Sequence, residues 1–348
     1  MVKVLIVDDS ALVRQLLSHM LSQAQDIDVV GCAEDPYEAR EMIKALQPDV
    51  LTLDVEMPKM DGLAFLRNLM RLRPMPVVMV SSLTERGADV TLEALSLGAV
   101  DFIAKPKQDL TNRLLDYQQE LIDKVHLAAA SHVPPQQSST APLNGDAKLK
   151  NRIIAIGAST GGTEAIQRVV APLPANTPPI VIAQHIPAAF SASFARRLNQ
   201  HARMEVIEAQ GGERLTQGVA YLAPGHAHLV LERRGAHIYT RLLDTETVNR
   251  HKPSVDVLFN SIAEIAAKSA IGVILTGMGK DGAAGLLKMH QAGAHTIAQD
   301  EASSVVWGMP GSAVALNACN EQLPLANIPA RLLKLLTTPC SSCRHPLA

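Results

Sequence analysis

Val4-Leu5-Ile6-Val7-Asp8-Asp9-Ser10, residues 4–10, is an apolar run that stops at two adjacent carboxylates. Consecutive apolar residues bounded by polar ones suit a strand covered on both faces. The pattern recurs, and Val29 to Gly31, Val50 to Leu53, Val77 to Val80 and Asp101 to Ala104 read as further strands. After the first of them, Leu12, Val13, Leu16, Leu17, Met20 and Leu21 repeat at helical spacing, and similar stretches follow the others. Strict alternation of strand and helix predicts an α/β unit with a parallel sheet clad on both sides.

Beyond about residue 125 this rhythm fades. Pro134, Pro135 and Pro142 stand among serines, glutamines, Asn144 and Gly145, so 126–150 reads as a linker. A second alternation follows over 151–340. Ile153 to Ile156, Ile180 to Ala183, Ile271 to Leu275 and His295 to Gln299 read as parallel strands followed by helices. Met204 to Glu208, Val219 to Leu222, His228 to Glu232 and Ile238 to Leu242, broken by Gly211-Gly212, Pro224-Gly225 and Gly235, read as an inserted antiparallel meander. The second unit is therefore expected to be a doubly wound, mostly parallel α/β domain with an antiparallel hairpin region. Residues 341–348 form a tail.

Composition fits this division. A chain of 348 residues with 47% hydrophobic content holds material for about two domains. The 32 basic and 34 acidic residues leave a formal charge of -2, so no overall field favours nucleic acid or an anionic membrane. The start lacks the basic flank and cleavage site of a signal peptide, no apolar stretch reaches the roughly 18 residues of a membrane span, and the cysteines form no disulfide framework. A cytoplasmic protein without membrane insertion is expected. Cys340, Cys343 and His345 offer too few ligands for a closed zinc site, which needs about four, and are read as an exposed tail.

Two sets of reactive residues stand out. Asp8 and Asp9 follow the first strand, Asp54 ends the third and Lys105 follows the fifth. The carboxyl ends of parallel strands share one edge, so these four side chains are expected in one crevice. Clustered carboxylates repel unless a cation intervenes, and a hard ion such as Mg²⁺ suits Asp8, Asp9 and Asp54. Asp54 is then placed to accept a phosphoryl group whose oxygens the metal and Lys105 neutralise.

The second set lies after the linker. Gly157-Ala158-Ser159-Thr160-Gly161 has the pattern of a nucleophile elbow between strand and helix. The glycines allow a tight turn that exposes a serine hydroxyl near helix N–H groups. His185, in Gln184-His185-Ile186-Pro187, is a base for it, and Asp281 is an acid that orients the imidazole. The order Ser, His, Asp differs from that of α/β-hydrolases. A rival reading uses the same region: Gly277-Met278-Gly279-Lys280-Asp281-Gly282 is a literal G-x-G-x-x-G, with Asp300 closing the next strand, which suits a receiver-regulated nucleotide-binding enzyme. Against it, Asp281 sets a negative charge where a pyrophosphate would lie.

The first unit resembles the response-regulator receiver family through Val7-Asp8-Asp9-Ser10, Leu53-Asp54-Val55-Glu56-Met57-Pro58, Met60-Asp61-Gly62, Val80-Ser81-Ser82 and Ala104-Lys105-Pro106. The resemblance implies a flavodoxin-like (βα)5 fold, phosphorylation at Asp54, Mg²⁺ on Asp8 and Asp9, Ser81 as switch hydroxyl and Lys105 on the phosphoryl group. A cis Lys105–Pro106 bond is also expected. The second unit resembles the chemotaxis protein-glutamate methylesterase family, CheB. The matching pieces are Ile156-Gly157-Ala158-Ser159-Thr160-Gly161-Gly162, Gln184-His185-Ile186-Pro187, Pro253-Ser254-Val255-Asp256-Val257-Leu258-Phe259, Leu275-Thr276-Gly277-Met278-Gly279-Lys280-Asp281-Gly282 and Gln299-Asp300-Glu301-Ala302.

That resemblance implies a serine hydrolase with Ser159 as nucleophile, His185 as general base and Asp281 as orienting acid. The N–H groups near Thr160 and Met278 are its oxyanion-hole candidates, and it needs no cofactor for the hydrolysis. It implies demethylation of γ-glutamyl methyl esters, with release of methanol, and deamidation of glutamines on methyl-accepting chemoreceptors. A chemotaxis histidine kinase is the implied phosphodonor. An unmodified receiver unit lying over the Ser159 cleft is the expected means of control.

Overall fold

A computed structural model describes residues 1–57, 61–82, 84–105, 114–131, 149 and 152–337. The first unit contains β1 (Val2–Val7), α1 (Ala11–Leu21), β2 (Ile27–Ala33), α2 (Pro36–Leu46), β3 (Val50–Asp54), α3 (Gly62–Leu72), β4 (Val77–Ser81), α4 (Glu85–Ser96), β5 (Asp101–Ala104) and α5 (Leu114–Ala130). Its sheet has the order β2-β1-β3-β4-β5, with every pair parallel. Val4, Leu5, Ile6 and Val7 are all buried, as a strand covered on both faces requires. The chain leaves β1 through Ser10, whose hydroxyl accepts from the Val13 N–H and caps α1. α5 continues to Ala130 and buries Val125 and Ala128, so helix occupies the beginning of the segment expected to be linker.

The second unit starts with β6 (Ile153–Ala158), α6 (Gly162–Val170), β7 (Ile180–Gln184) and α7 (Ala188–His201). β8 (Glu205–Glu208), β9 (Val219–Leu222), β10 (His228–Arg234), β11 (His237–Leu243) and α8 (Val255–Ile265) follow. It closes with β12 (Ala270–Ile274), α9 (Ala283–Gln291), β13 (His295–Gln299), α10 (Met309–Ala315), β14 (Glu321–Leu323) and α11 (Ile328–Thr337). Seven strands form one sheet in the order β14-β13-β12-β6-β7-β9-β8.

This corrects the expected meander. β8 pairs parallel with β9 and β9 parallel with β7, so both extend the main sheet, and only β10 and β11 form an antiparallel hairpin. Apolar alternation marks a strand without marking its direction. β14 lacked the apolar run that would have revealed it.

The two units share a continuous apolar core. Leu92 and Phe102 of the first belong to the same buried cluster as Phe190 and Phe194 of the second, and the Phe102 and Phe190 rings stack with centroids 4.6 Å apart. A separate core beneath the hairpin holds Leu258, Phe259 and Ile262 of α8 against Leu229 and Leu231 of β10. Phe259 is fully buried there. Phe259→Ala is expected to cost about 3–5 kcal/mol of stability, which equilibrium urea unfolding measures directly.

Candidate active site and phosphoacceptor pocket

Strand register builds both sites. In the first sheet Val7 lies opposite Leu53, so Asp8 and Asp54 emerge side by side as the next residues. Ser81 pairs with Ala104 at the end of β4, which brings Lys105 to the same edge. Lys105 Nζ lies 2.7 Å from Asp54 and 3.4 Å from Asp8. Asp8, Asp9 and Asp54 each offer an oxygen, all within 4.8 Å of one another.

Asp8 Oδ2 is buried, and among the described residues its partner is the Lys105 ammonium of the ion pair, too distant for a good hydrogen bond. A set of carboxylate oxygens with one lone pair unsatisfied fits a hard divalent cation, and Mg²⁺ is the ion this donor set suits. Burial pushes the Asp54 carboxyl up to about 6, and the neighbouring Asp8 charge adds to this against the Lys105 hydrogen bond. Ser81 is fully buried and faces α4: its hydroxyl accepts from Thr91 at 2.7 Å and lies 3.3 Å from the Gly87 carbonyl. Sequence reasoning missed Thr91, because a threonine within a helix carries no signal of its partner.

In the second sheet Ala158 pairs with Gln184, so the chain leaves β6 and β7 through the neighbouring residues Ser159 and His185. β12 flanks β6 on the other side, and the loop after it carries Asp281. This is the switch point of an open α/β sheet, where strand ends on either side of β6 leave a crevice. Gly161 adopts φ 72°, as the turn from Ser159 into α6 requires, and a Cβ there would meet Val305. Gly277 approaches so closely that an added Cβ would lie 2.8 Å from the Ser159 Cβ. The Met278 amide therefore follows a residue packed on Ser159. Among the described residues, neither the Thr160 nor the Met278 N–H has an acceptor.

His185 Nε2 is 2.8 Å from Asp281 Oδ2, and both side chains are nearly inaccessible. Asp281 also accepts from Ser254 Oγ at 2.8 Å, Asn249 Nδ2 at 2.8 Å and the Val255 N–H at 2.7 Å. It sits at the N-terminus of α8, where the orphan amides and the helix dipole favour an anion. Burial works to raise its pKa, but the bonds from His185, Asn249 and Ser254 outweigh this and hold it far below the usual carboxylate range. An ionised Asp281 can only accept, so Nε2 carries the imidazole proton. His185 Nδ1 is then the basic nitrogen, and it is buried without a partner.

The same network removes the nucleotide reading. The carboxylate of Gly277–Gly282 points inward to His185 and α8, and Asp300 accepts from Ser303. The Lys105–Pro106 bond, most of 126–150 and the Cys340, Cys343 and His345 tail lie outside the described residues; Lys252–Pro253 is cis.

Residues 154–332 match the CheB methylesterase family, and residues 4–115 match the response regulator receiver domain. The chain belongs to the CheB methylesterase family. A protein-glutamate methylesterase/protein-glutamine glutaminase 2 of Xanthomonas oryzae pv. oryzae is 57% identical, over 96% of this chain and 97% of its own length. A relative of the same activity name from Nitrosomonas europaea is 54% identical, over 96% of each chain. The crystal structure of the Thermotoga maritima CheB methylesterase catalytic domain is 38% identical, covers 54% of this chain and all of its own, and superposes with a TM-score of 0.52. Family membership agrees with the two-unit architecture, and no described helix is long and apolar enough to cross a membrane.

His251 also lies in the site, and sequence reasoning passed over it. Burial, then the adjacent His185, lowers its pKa from 6.5 to about 4. Between those values the unfolded chain binds a proton that the folded chain refuses, so stability falls as pH drops from 6.5 towards 4. The full difference is worth up to about 3 kcal/mol. Denaturant unfolding at pH 7 and pH 4.5 should show the wild type losing about 2 kcal/mol more than His251→Phe, which has nothing to titrate.

Proposed function

We propose that this chain hydrolyses γ-glutamyl methyl esters on methyl-accepting chemoreceptors and deamidates selected receptor glutamines, under control of a phosphoryl group on Asp54. The observation that carries the reading is His185, whose Nε2 is tied to an ionised Asp281, whose Nδ1 has no partner, and which follows β7 as Ser159 follows the paired strand β6.

In this reading His185 Nδ1 takes the Ser159 proton as Oγ attacks the ester carbonyl. The Thr160 and Met278 N–H groups stabilise the resulting oxyanion. The imidazolium then gives its proton to the departing methoxide, releasing methanol, or to the departing amide nitrogen, releasing ammonia. Water, deprotonated by His185, attacks the acyl-enzyme and regenerates Ser159 with a glutamate product. Asp281 stays ionised throughout and holds the imidazole in the working tautomer. No cofactor enters these steps.

The receiver unit is the control element, with a chemotaxis histidine kinase as phosphodonor. Asp8, Asp9 and Asp54 would hold Mg²⁺, which when bound neutralises phosphoryl oxygens. Lys105 supplies a second positive charge at Asp54.

Contacts between the units support inhibition by the unmodified receiver. Asp101 Oδ2, on β5, accepts a 2.6 Å hydrogen bond from Thr160 Oγ1, one residue after the nucleophile. Arg197 on α7 donates to Ser96 on α4 at 2.8 Å. A phosphoryl group that draws Ser81 away from Thr91 and Gly87 loosens α4, the helix that bears on α7.

Methanol release from methylated receptor, with and without a small phosphodonor and Mg²⁺, tests the reading. Ser159→Ala should remove nearly all turnover while the chain stays folded; undiminished methanol release would exclude serine chemistry. Asp101→Ala should raise unstimulated turnover about 5- to 50-fold, in keeping with a coupling of roughly 1–2 kcal/mol. Unchanged basal turnover in that variant would dismiss the Asp101 contact as a brake.

A further inference from the structure

The loop joining β11 to α8 touches both partners of the acid–base pair. The His251 ring lies face to face on the His185 ring, with centroids 3.7 Å apart and planes 14° apart. Two residues earlier, Asn249 Nδ2 donates to Asp281 Oδ1 and to Asp256 Oδ2, each at 2.8 Å. Val248 and His251 exchange backbone hydrogen bonds at 3.1 and 2.9 Å, closing a tight turn over Asn249 and Arg250. Both central residues are left-handed, at φ 53° and 67°, though neither is glycine. Such a conformation persists only where its surroundings hold it. Here the holding contacts are Asn249 on the carboxylates and His251 on the imidazole.

We infer that His251 is a positioning residue: its flat face sets the plane of the His185 ring so that Nδ1 is presented to the Ser159 hydroxyl. Among the described residues the imidazole makes one side-chain hydrogen bond, at Nε2, which fixes that atom and not the plane of the ring. A planar partner at 3.7 Å removes that freedom. The groups around His251 are His185, Asp281, Lys124 of α5 and Arg250 of its own turn. At neutral pH the ring is uncharged, so the imidazolium formed when His185 takes the serine proton lies on a neutral π face instead of against a second cation. This role rests on the proposed serine mechanism, while the choice of receptor ester as substrate is independent of it.

A fluorophosphonate probe separates the two, because it reports activation of Ser159 without any receptor. The full chain is compared with His251→Ala, His251→Phe and His251→Leu, measuring the rate of Ser159 phosphonylation together with kcat and KM for methanol release. Loss of ring alignment should slow labelling and kcat about 10- to 100-fold in the Ala and Leu variants, with KM little changed. Phe, which restores a flat face, should recover labelling to within about 3-fold of wild type, a modest residue of altered fit. Leu fills similar space without a plane, so the Phe-to-Leu comparison stands even where the Ala variant does not fold. Wild-type labelling rates in Leu or Ala, equal rates in Phe and Leu, or no labelling of the wild type would each overturn the assignment. Normal labelling behaviour without methanol release would instead remove the receptor-ester reading and leave this one intact.

Discussion

Asp281 is an ionised carboxylate almost fully removed from water, and the surrounding chain is arranged to make that tolerable. Burying such a charge costs several kcal/mol unless hydrogen bonds replace its hydration. The replacements come from separate places: His185 after β7, Asn249 in the turn after β11, and Ser254 and the Val255 amide at the start of α8. His228 fixes Ser254 in turn, its Nδ1 accepting from the Ser254 N–H at 3.0 Å. The hairpin of β10 and β11 is thus more than a decoration on the sheet. It carries His228 and leads into the turn that places Asn249 and His251.

The proposed control rests on a second juxtaposition. Asp101 is held from behind by Lys124 at 3.0 Å while its other oxygen binds Thr160. The same β5 strand contributes Phe102 to the ring stack with Phe190, and its sequence neighbour at the far end is Lys105, which contacts Asp54. One four-residue strand therefore spans from the unit interface to the Asp54 pocket. Ser81 lies on the adjacent strand and is bonded to α4, another element that meets the second unit. Asp54 is thus joined through short, packed elements to two places where the units meet, Thr160 and Arg197.

Much of this was legible in residue order. Apolar runs ending in Asp8, Asp54, Ser159 and His185 are read correctly because a buried parallel strand needs apolar residues along its length and frees its side chains only at its end. The directions of β8 and β9 were not legible, since alternation is the same for parallel and antiparallel edges. Nor were Thr91, Asp101, Asn249 and His251, whose roles depend on partners 10, 59, 32 and 66 residues away along the chain.

The sequence by itself determined that there are two α/β units and which polar side chains stand at their strand ends, because side-chain chemistry and hydrophobic period are local properties. Tertiary structure alone decided which imidazole nitrogen is free, how Asp281 stays charged, and that Asp101 reaches Thr160. Those outcomes depend on strand register, on the burial of charge and on a shared core between units, and none of these is a property of any short stretch of chain.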